Sequence, residues 1–182
     1  MGRAIIALGS NLGPLSSGSS SFLKFSISSL EGYNIRIQQV APVYESIALG
    51  ASRQGVYLNS VLIMDTALSP LSLLRKLKQV ERKSGRRGYG RPWSARTLDL
   101  DIISYNKQVL NWDVKTQTPL AVRCGDLNIP HSQAHKRPFV LSPLVDILPE
   151  WRHPVLGKTA MELNKTAEKA VRSAGGGIIR IV

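Results

Sequence analysis

Between residues 96 and 103 the chain reads Arg-Thr-Leu-Asp-Leu-Asp-Ile-Ile, and no other stretch limits the fold so tightly. Apolar and polar side chains alternate there, the pattern of a β-strand with one face buried and one face wet. Leu98, Leu100 and Ile102 therefore turn toward a core, while Thr97, Asp99 and Asp101 share the opposite face. Two carboxylates two residues apart on a strand stand about 6.6 Å apart and repel by roughly 2–3 kcal/mol at an effective dielectric near 20. A sheet that carries them needs a positive partner. Two readings meet that need. One is a hard divalent cation, magnesium above all, held by the carboxylates together with substrate phosphates. The other is a solvated face on which the aspartates pair with Arg96 or another arginine.

The surroundings of this strand are strongly basic. Nine basic residues lie between Arg75 and Arg96, against a single acid, Glu81. Guanidinium groups that converge can clamp phosphates through paired N–H donors and stabilise the charge that shifts during phosphoryl transfer. A solvated basic loop is the plainer alternative. Glu81 follows Leu77 by one helical turn and so points partly inward, either to orient an arginine or a substrate group or as a surface acid at a helix end. Over all 182 residues, 24 Lys+Arg against 12 Asp+Glu leave a net charge of +12. That predicts an anionic partner, with nucleic acid, a membrane surface and a nucleoside triphosphate all open.

The length suits one domain whose core needs no disulfide or metal. The lone Cys124 has no partner for an internal disulfide and agrees with a reducing compartment. The apolar run at residues 4–8 is too short for a signal-peptide core or a spanning helix, so a cytoplasmic protein is expected. Strands are predicted at 3–8, 34–43, 57–67, 96–105 and 178–182. A helix is predicted over about 21–30. A second is opened by Ser69 as N-cap with Pro70 at its first position and stopped by Gly85. A third is opened by the capping box Thr159-Ala160-Met161-Glu162, with Leu163, Ala167, Ala170, Val171 and Ala174 inward. Residues 85–93 hold three glycines, a proline and three arginines and read as a mobile loop. Residues 111–126 read as polar and irregular. Mixed strand–strand and strand–helix neighbours favour an α+β fold with a largely antiparallel sheet.

Several familiar motifs fail. Gly157-Lys158-Thr159 has the ending of a phosphate loop, but Arg152 stands where its first glycine should be and no strand precedes it, so Thr159 is better read as a helix cap. His131 and His135 are four apart, yet Pro130 precedes them and argues against a zinc-binding helix. Tyr57 and Asn59 share a strand face and, with Trp93 and Phe139, could sandwich a flat heterocycle and read its polar edge. The rival reading, an RNA- or DNA-binding ferredoxin-like module, lacks closely spaced aromatics on any strand.

Four stretches together carry a resemblance. Residues 4–13 (AIIALGSNLG), Tyr44-Glu45-Ser46 with Tyr57-Leu58-Asn59, residues 93–103 (WSARTLDLDII), and Ile129-Pro130-His131 with residues 137–144 resemble the 6-hydroxymethyl-7,8-dihydropterin pyrophosphokinases of folate biosynthesis, nearly end to end. The resemblance implies a single three-layer α-β-α domain over 1–182, ferredoxin-like at its centre. It would act as a cytoplasmic monomer on small molecules, with neither membrane nor nucleic acid as partner. The implied reaction moves diphosphate from the co-substrate ATP to the pterin alcohol, giving AMP and the pterin diphosphate. Asp99 and Asp101 would hold two Mg2+ ions, and Arg86 and Arg96 would act on the phosphates. Glu81, Ile102, His131 and Arg137 would complete the ATP side. Ser46, Leu49, Tyr57, Asn59, Trp93 and Phe139 would enclose the pterin. The chain departs from the family pattern at Ser94-Ala95, where Gly-Pro is common, at Ser132, at Ile47-Ala48, and at Gly88, where a phosphate-contacting arginine often stands and Arg87 or Arg91 would substitute.

Overall fold

One long strand, β4 (Val56–Thr66), organises the sheet. The computed structural model describes residues 1–10, 18–30, 34–47, 56–84, 98–121, 127–173 and 178–181. Along one edge of β4 runs β1 (Gly2–Ser10), with Gly2 opposite Thr66 and Ser10 opposite Leu58. The other edge is divided: β2 (Ile35–Val40) pairs with its later half and β3 (Val43–Ile47) with its earlier half. The sequence predicts one strand over 34–43, but the chain interrupts it at Ala41-Pro42. Proline has no N–H to give a ladder, and Ala41 is instead fixed by its N–H to the Val61 carbonyl (2.8 Å) and by the Ser60 hydroxyl donating to its own carbonyl (2.8 Å). Outside β1 lies β5 (Asp99–Tyr105), and outside β3 lies β8 (Ile178–Ile181). Every pairing among the described strands is antiparallel, as expected.

Helices cover both faces. On one, α1 (Gly18–Leu30) and α2 (Pro70–Lys83) bring Phe22, Leu30, Leu73, Leu77 and Val80 onto Ala4, Ile6, Leu8, Leu62, Met64, Leu100 and Ile102. On the other, α3 (Pro138–Ile147) and α4 (Ala160–Ser173) bring Val140, Leu144 and Ala160 onto Ile5, Val61 and Ile103. A smaller cluster of Leu141, Leu163 and Ala167 joins α3 to α4. The result is the three-layer α-β-α arrangement that the resemblance implies. Both expected caps form. Ser69 Oγ accepts from the Ser72 N–H at 3.3 Å. Glu162 accepts from the Thr159 N–H at 2.7 Å, while the Glu162 N–H donates to Thr159 Oγ1 at 3.1 Å.

Other expectations change. α1 begins at Gly18 rather than Ser21. Leu163 and Ala167 are buried, but Ala170 is exposed, because α4 meets α3 through a narrower stripe. α3 has no counterpart in the sequence reading. Pro138 occupies its tolerated first turn and Pro143 lies inside it, and the run Pro-Phe-Val-Leu-Ser-Pro-Leu-Val is too uniformly apolar to show a helical period. Residues 111–126 are not wholly irregular, since β6 (Trp112–Asp113) and β7 (Thr118–Pro119) form a small hairpin. Its turn is held by Asp113 Oδ1, which accepts from the N–H groups of Lys115 (2.9 Å) and Thr116 (3.2 Å). Residues 122–126, the loop expected at 85–93, Ala174 and the glycines at 175–177 lie outside the described residues. Among the described residues no helix is long and apolar enough to cross a membrane.

Candidate active site

The period-two reading of β5 holds. Leu98, Leu100 and Ile102 are buried against α1 and α2, and Asp99 and Asp101 are half-buried on the opposite face. Ile6 pairs with Ile102 and Ile5 with Ser104, so β5 carries one extra residue, Ile103, as a bulge. The bulge resets the alternation and returns Tyr105 to the buried face, where its hydroxyl donates to the Leu68 carbonyl at 2.7 Å.

Sheet register then assembles the site. Asp99 lies opposite Gly9, Gly9 opposite Asn59, and Asn59 opposite Tyr44. One row therefore runs across β5, β1, β4 and β3, and directly opposed residues share a face. With strands spaced about 4.8 Å apart, Asp99 and Asn59 stand roughly 10 Å apart with Gly9 between them. A Cβ added at Gly9 would meet only Asp99 Cβ, at 3.8 Å, among the described residues. Glycine in a strand interior marks a place where something approaches the backbone closely. Here it leaves a trough with acids on one side and an amide on the other.

The acidic side is firmly braced. Glu81, near the end of α2, is only 1% exposed, which excludes the surface-acid reading. Its Oε1 accepts from the Leu100 N–H at 2.8 Å and from Lys78 Nζ at 2.8 Å. Burial raises the Glu81 pKa, and the Lys78 ammonium pulls it back. His131 donates its backbone N–H to the Ile103 carbonyl at 3.0 Å, and its Nδ1 accepts from the Gln133 N–H at 3.1 Å. That assigns the proton of the neutral ring to Nε2, which lies 4.0 Å from Asp101 Oδ2. Burial holds the imidazole below its ordinary pKa, and the Asp101 carboxylate works in the other direction. The Arg137 guanidinium lies 5.8 Å from the centre of the Phe139 ring, at the start of α3. Ile102 is 2% exposed and turned into the α1–α2 core, so only its backbone is left to meet a ligand; the strand alternation that aims Asp101 outward turns Ile102 away.

On the amide side, Asn59 Nδ2 donates to Ser46 Oγ (2.9 Å) and to the Tyr57 carbonyl (3.2 Å), with Asn59 and Ser46 both buried. Tyr57 is half-buried, and Phe139 is half-buried against the cluster of Ile5, Val61 and Ile103. The structure thus gathers Ser46, Tyr57, Asn59, Asp99 and Asp101 on one face, with His131 beside Asp101. Leu49, Arg86, Arg87, Gly88, Arg91, Trp93, Ser94, Ala95 and Arg96 lie outside the described residues. The strand predicted at 3–8 stops short of Gly9, which lies within β1, and a glycine inside an apolar strand is a usable signal. Tyr44 donates its hydroxyl to Asp146 Oδ2 at 2.9 Å, tying β3 to α3 across a separation that only the fold reveals.

Among the described residues no group of three or more His, Cys, Asp or Glu side chains is placed to hold a metal ion alone. Asp99 and Asp101 still fit magnesium. They are hard oxygen donors, half-exposed on one face, and Mg2+ is commonly held by one or two carboxylates with waters and substrate phosphates completing its shell.

Residues 5–149 match the family described as 7,8-dihydro-6-hydroxymethylpterin-pyrophosphokinase. The chain is 35% identical over 162 residues to the 2-amino-4-hydroxy-6-hydroxymethyldihydropteridine pyrophosphokinase of Aquifex aeolicus, covering 89% of this chain and 90% of that one. It is 38% identical over 144 residues to the protein of the same name from Haemophilus influenzae, covering 79% and 80%. Its fold is similar to that of Plasmodium falciparum HPPK-DHPS, solved as the wild type with pteroate, at a TM-score of 0.66 and 14% identity. That likeness covers 94% of this chain and 45% of the Plasmodium chain, so the present chain spans under half of that protein.

Proposed function

Because the chain belongs to the 7,8-dihydro-6-hydroxymethylpterin-pyrophosphokinase family, and so transfers a pyrophosphoryl group from ATP to hydroxymethyldihydropterin in folate biosynthesis, we propose how its residues divide that work. The pterin lies at the Ser46–Tyr57–Asn59 end, between the rings of Trp93 and Phe139, with Leu49 closing its edge. Asn59 Nδ2 is committed to Ser46 and to a backbone carbonyl. Its Oδ1 is then turned to accept from a ring N–H, and Ser46, as an acceptor from Asn59, keeps its own proton to donate. The triphosphate crosses the trough above Gly9 toward Asp99 and Asp101, which would hold two Mg2+ ions. Arg86 and Arg96 would grip the phosphates, with the Ile102 backbone, His131 and Arg137 on the same side, while Glu81 stands behind them at the outer edge of β5.

The hydroxymethyl oxygen attacks the β-phosphorus in line and gives up its proton to solvent, the bond from that phosphorus to the bridging α–β oxygen breaks, and AMP leaves with that oxygen. When bound, the metal ions neutralise charge on the attacking and leaving oxygens. The protein's part is mostly placement and fixed electrostatics. The chain works as one domain over 1–182, as a monomer in the cytoplasm.

The observation that carries this reading is the row Asp99–Gly9–Asn59, in which an acid and a buried amide stand one trough apart, as the proposed roles require. The direct test mixes protein, Mg2+, ATP and 6-hydroxymethyl-7,8-dihydropterin and follows nucleotides by chromatography. AMP released in step with pterin diphosphate is expected. ADP in its place, or no turnover, overturns the reading. A second test fills the trough. Gly9→Val puts a β-branched residue on a strand where the added Cβ meets only Asp99 Cβ, at 3.8 Å, among the described residues, so the melting temperature should shift little. Displacing the bound phosphates by even about 1 Å should lower kcat/KM about 100-fold. A Gly9→Val enzyme with wild-type kinetics would remove the trough from the mechanism.

A further inference from the structure

Glu81 is an expensive residue to place where it stands. Its carboxylate is 1% exposed and sits in the last turns of α2, where the helix dipole disfavours negative charge. Such a group persists when it satisfies something that would otherwise go unpaired. Among the described strands β5 is paired only along its β1 side, so the N–H of Leu100 points to the outer edge of the sheet. That N–H donates to Glu81 Oε1 at 2.8 Å, and the same oxygen takes Lys78 Nζ at 2.8 Å. Leu100 is the residue between Asp99 and Asp101, and its side chain is fully buried against α1 and α2.

We infer that Glu81 is a positioning residue that fixes the spacing of Asp99 and Asp101 by pinning the backbone amide between them, rather than a group that touches the nucleotide. This rests on the metal-binding roles proposed above for the two aspartates. Around Leu100 the strand is held by its side chain in the core, by the β1 ladder on one side and by the Glu81–Lys78 pair on the other, with the His131 N–H fixing the Ile103 carbonyl further along that edge. Without the Glu81 contact the segment between Asp99 and Asp101 is freer to twist about its own axis, and twist changes the separation of side chains two residues apart. Two carboxylates that repel each other push it to do so. Metal ligands hold their geometry through partners of this outer kind, whose loss typically weakens metal affinity 10–100-fold.

The test has a part that needs no variant. In the folded wild-type protein without ligands, amide hydrogen exchange at Leu100 should be at least about 100-fold slower than at unpaired surface amides, despite its edge position. Exchange as fast as at those amides overturns the inference. The second part compares E81L with E81Q, which keeps an oxygen for the Leu100 N–H and gives up the charge, each first shown to be folded by circular dichroism. Binding of a non-hydrolysable ATP analogue is measured with Mg2+ and with EDTA. For E81L the Mg2+-dependent affinity should fall at least about tenfold, with the metal-free affinity and the pterin KM within twofold of wild type, and E81Q should recover to within threefold. An equal loss with and without metal would mean that Glu81 touches the nucleotide, and an E81Q as impaired as E81L would mean that charge rather than the hydrogen bond matters; either overturns the inference. Should E81L not fold, E81Q and the Leu100 exchange rate decide. AMP release by the wild type in the same buffer keeps the two ideas apart, since a wild type without turnover would indict the assigned reaction and leave the exchange readout standing.

Discussion

Asp101→Asn lowers kcat/KM at least about 1,000-fold, equivalent to about 4 kcal/mol of lost transition-state stabilisation, while the melting temperature stays level or rises. Asparagine keeps the shape of the side chain and gives up the anionic oxygens that a hard cation requires. The stability side follows from the geometry of β5. Asp99 and Asp101 project from the same face at strand spacing, so neutralising one removes a repulsion that solvent only partly screens. The Asp101 side chain is 35% exposed, and its nearest described partner of opposite potential charge, His131 Nε2, is 4.0 Å away, so little packing is lost. Steady-state kinetics with saturating Mg2+ and a thermal melt of the same sample check both halves. Activity within threefold of wild type would refute the role of Asp101, and a melt lowered by many degrees would mean that its carboxylate supports the fold instead.

The second large effect lies far from the chemistry. His153, in the turn between α3 and α4, is fully buried, with Trp112 (5.2 Å between ring centroids), His135 (5.8 Å) and Trp151 (5.8 Å) around it. Its Nδ1 accepts from the N–H groups of Val155 (3.3 Å) and Leu156 (3.2 Å), so a second proton has no place to go without breaking that turn. Burial, with a smaller push from His135, lowers its pKa from an ordinary 6.5 to about 4. Between those values the unfolded chain takes up a proton that the folded chain refuses. Folding stability is therefore fully present above about pH 6.5 and falls as the pH drops, by about 3 kcal/mol once below pH 4. Urea unfolding at pH 7, 5.5 and 4 should trace this decline. His153→Asn retains an oxygen that can accept from the same two N–H groups and does not titrate, so it should remove at least half of the pH dependence. The remainder comes from His135 and His131, whose pKa values burial also lowers, and near pH 4 from Glu162 and Asp113, whose carboxylates are held low by hydrogen bonds. Parallel curves for the wild type and His153→Asn would sink the assignment.

What could be read from the chain beforehand depended on whether its cause was local. The β5 alternation, the Ser69-Pro70 start of α2 and the Thr159–Glu162 box are decided by residues within a few positions of one another, and all three form as expected. Ala41-Pro42 splits a predicted strand because the ladder it interrupts belongs to β4, which the strand alone does not reveal. α3 hides because burial on several sides erases the polar stripe that gives a helix its period. The site divides in the same way. Asp99, Asp101, Tyr57 and Asn59 were picked out by strand parity, but their assembly with Gly9 is a matter of register between strands distant in sequence. The helical spacing turns Glu81 inward, yet one of its partners is a main-chain amide nineteen residues later, which no side-chain pattern encodes. Leu49 rests on the family resemblance alone, and with Arg86, Trp93 and Arg96 it lies outside the described residues.

That β5 is outermost among the described strands has a bearing on how the protein behaves in a crowded solution. A strand that ends a sheet offers its unpaired amides to any other chain that can lie beside it, and natural sheets blunt that invitation with charge and with cover. Here a buried carboxylate already occupies the amide at Leu100, and acidic side chains flank it on either side. The groups that equip this edge for phosphate chemistry thus also deter strand addition by neighbouring molecules, and variants that strip them should be watched for aggregation as well as for lost turnover.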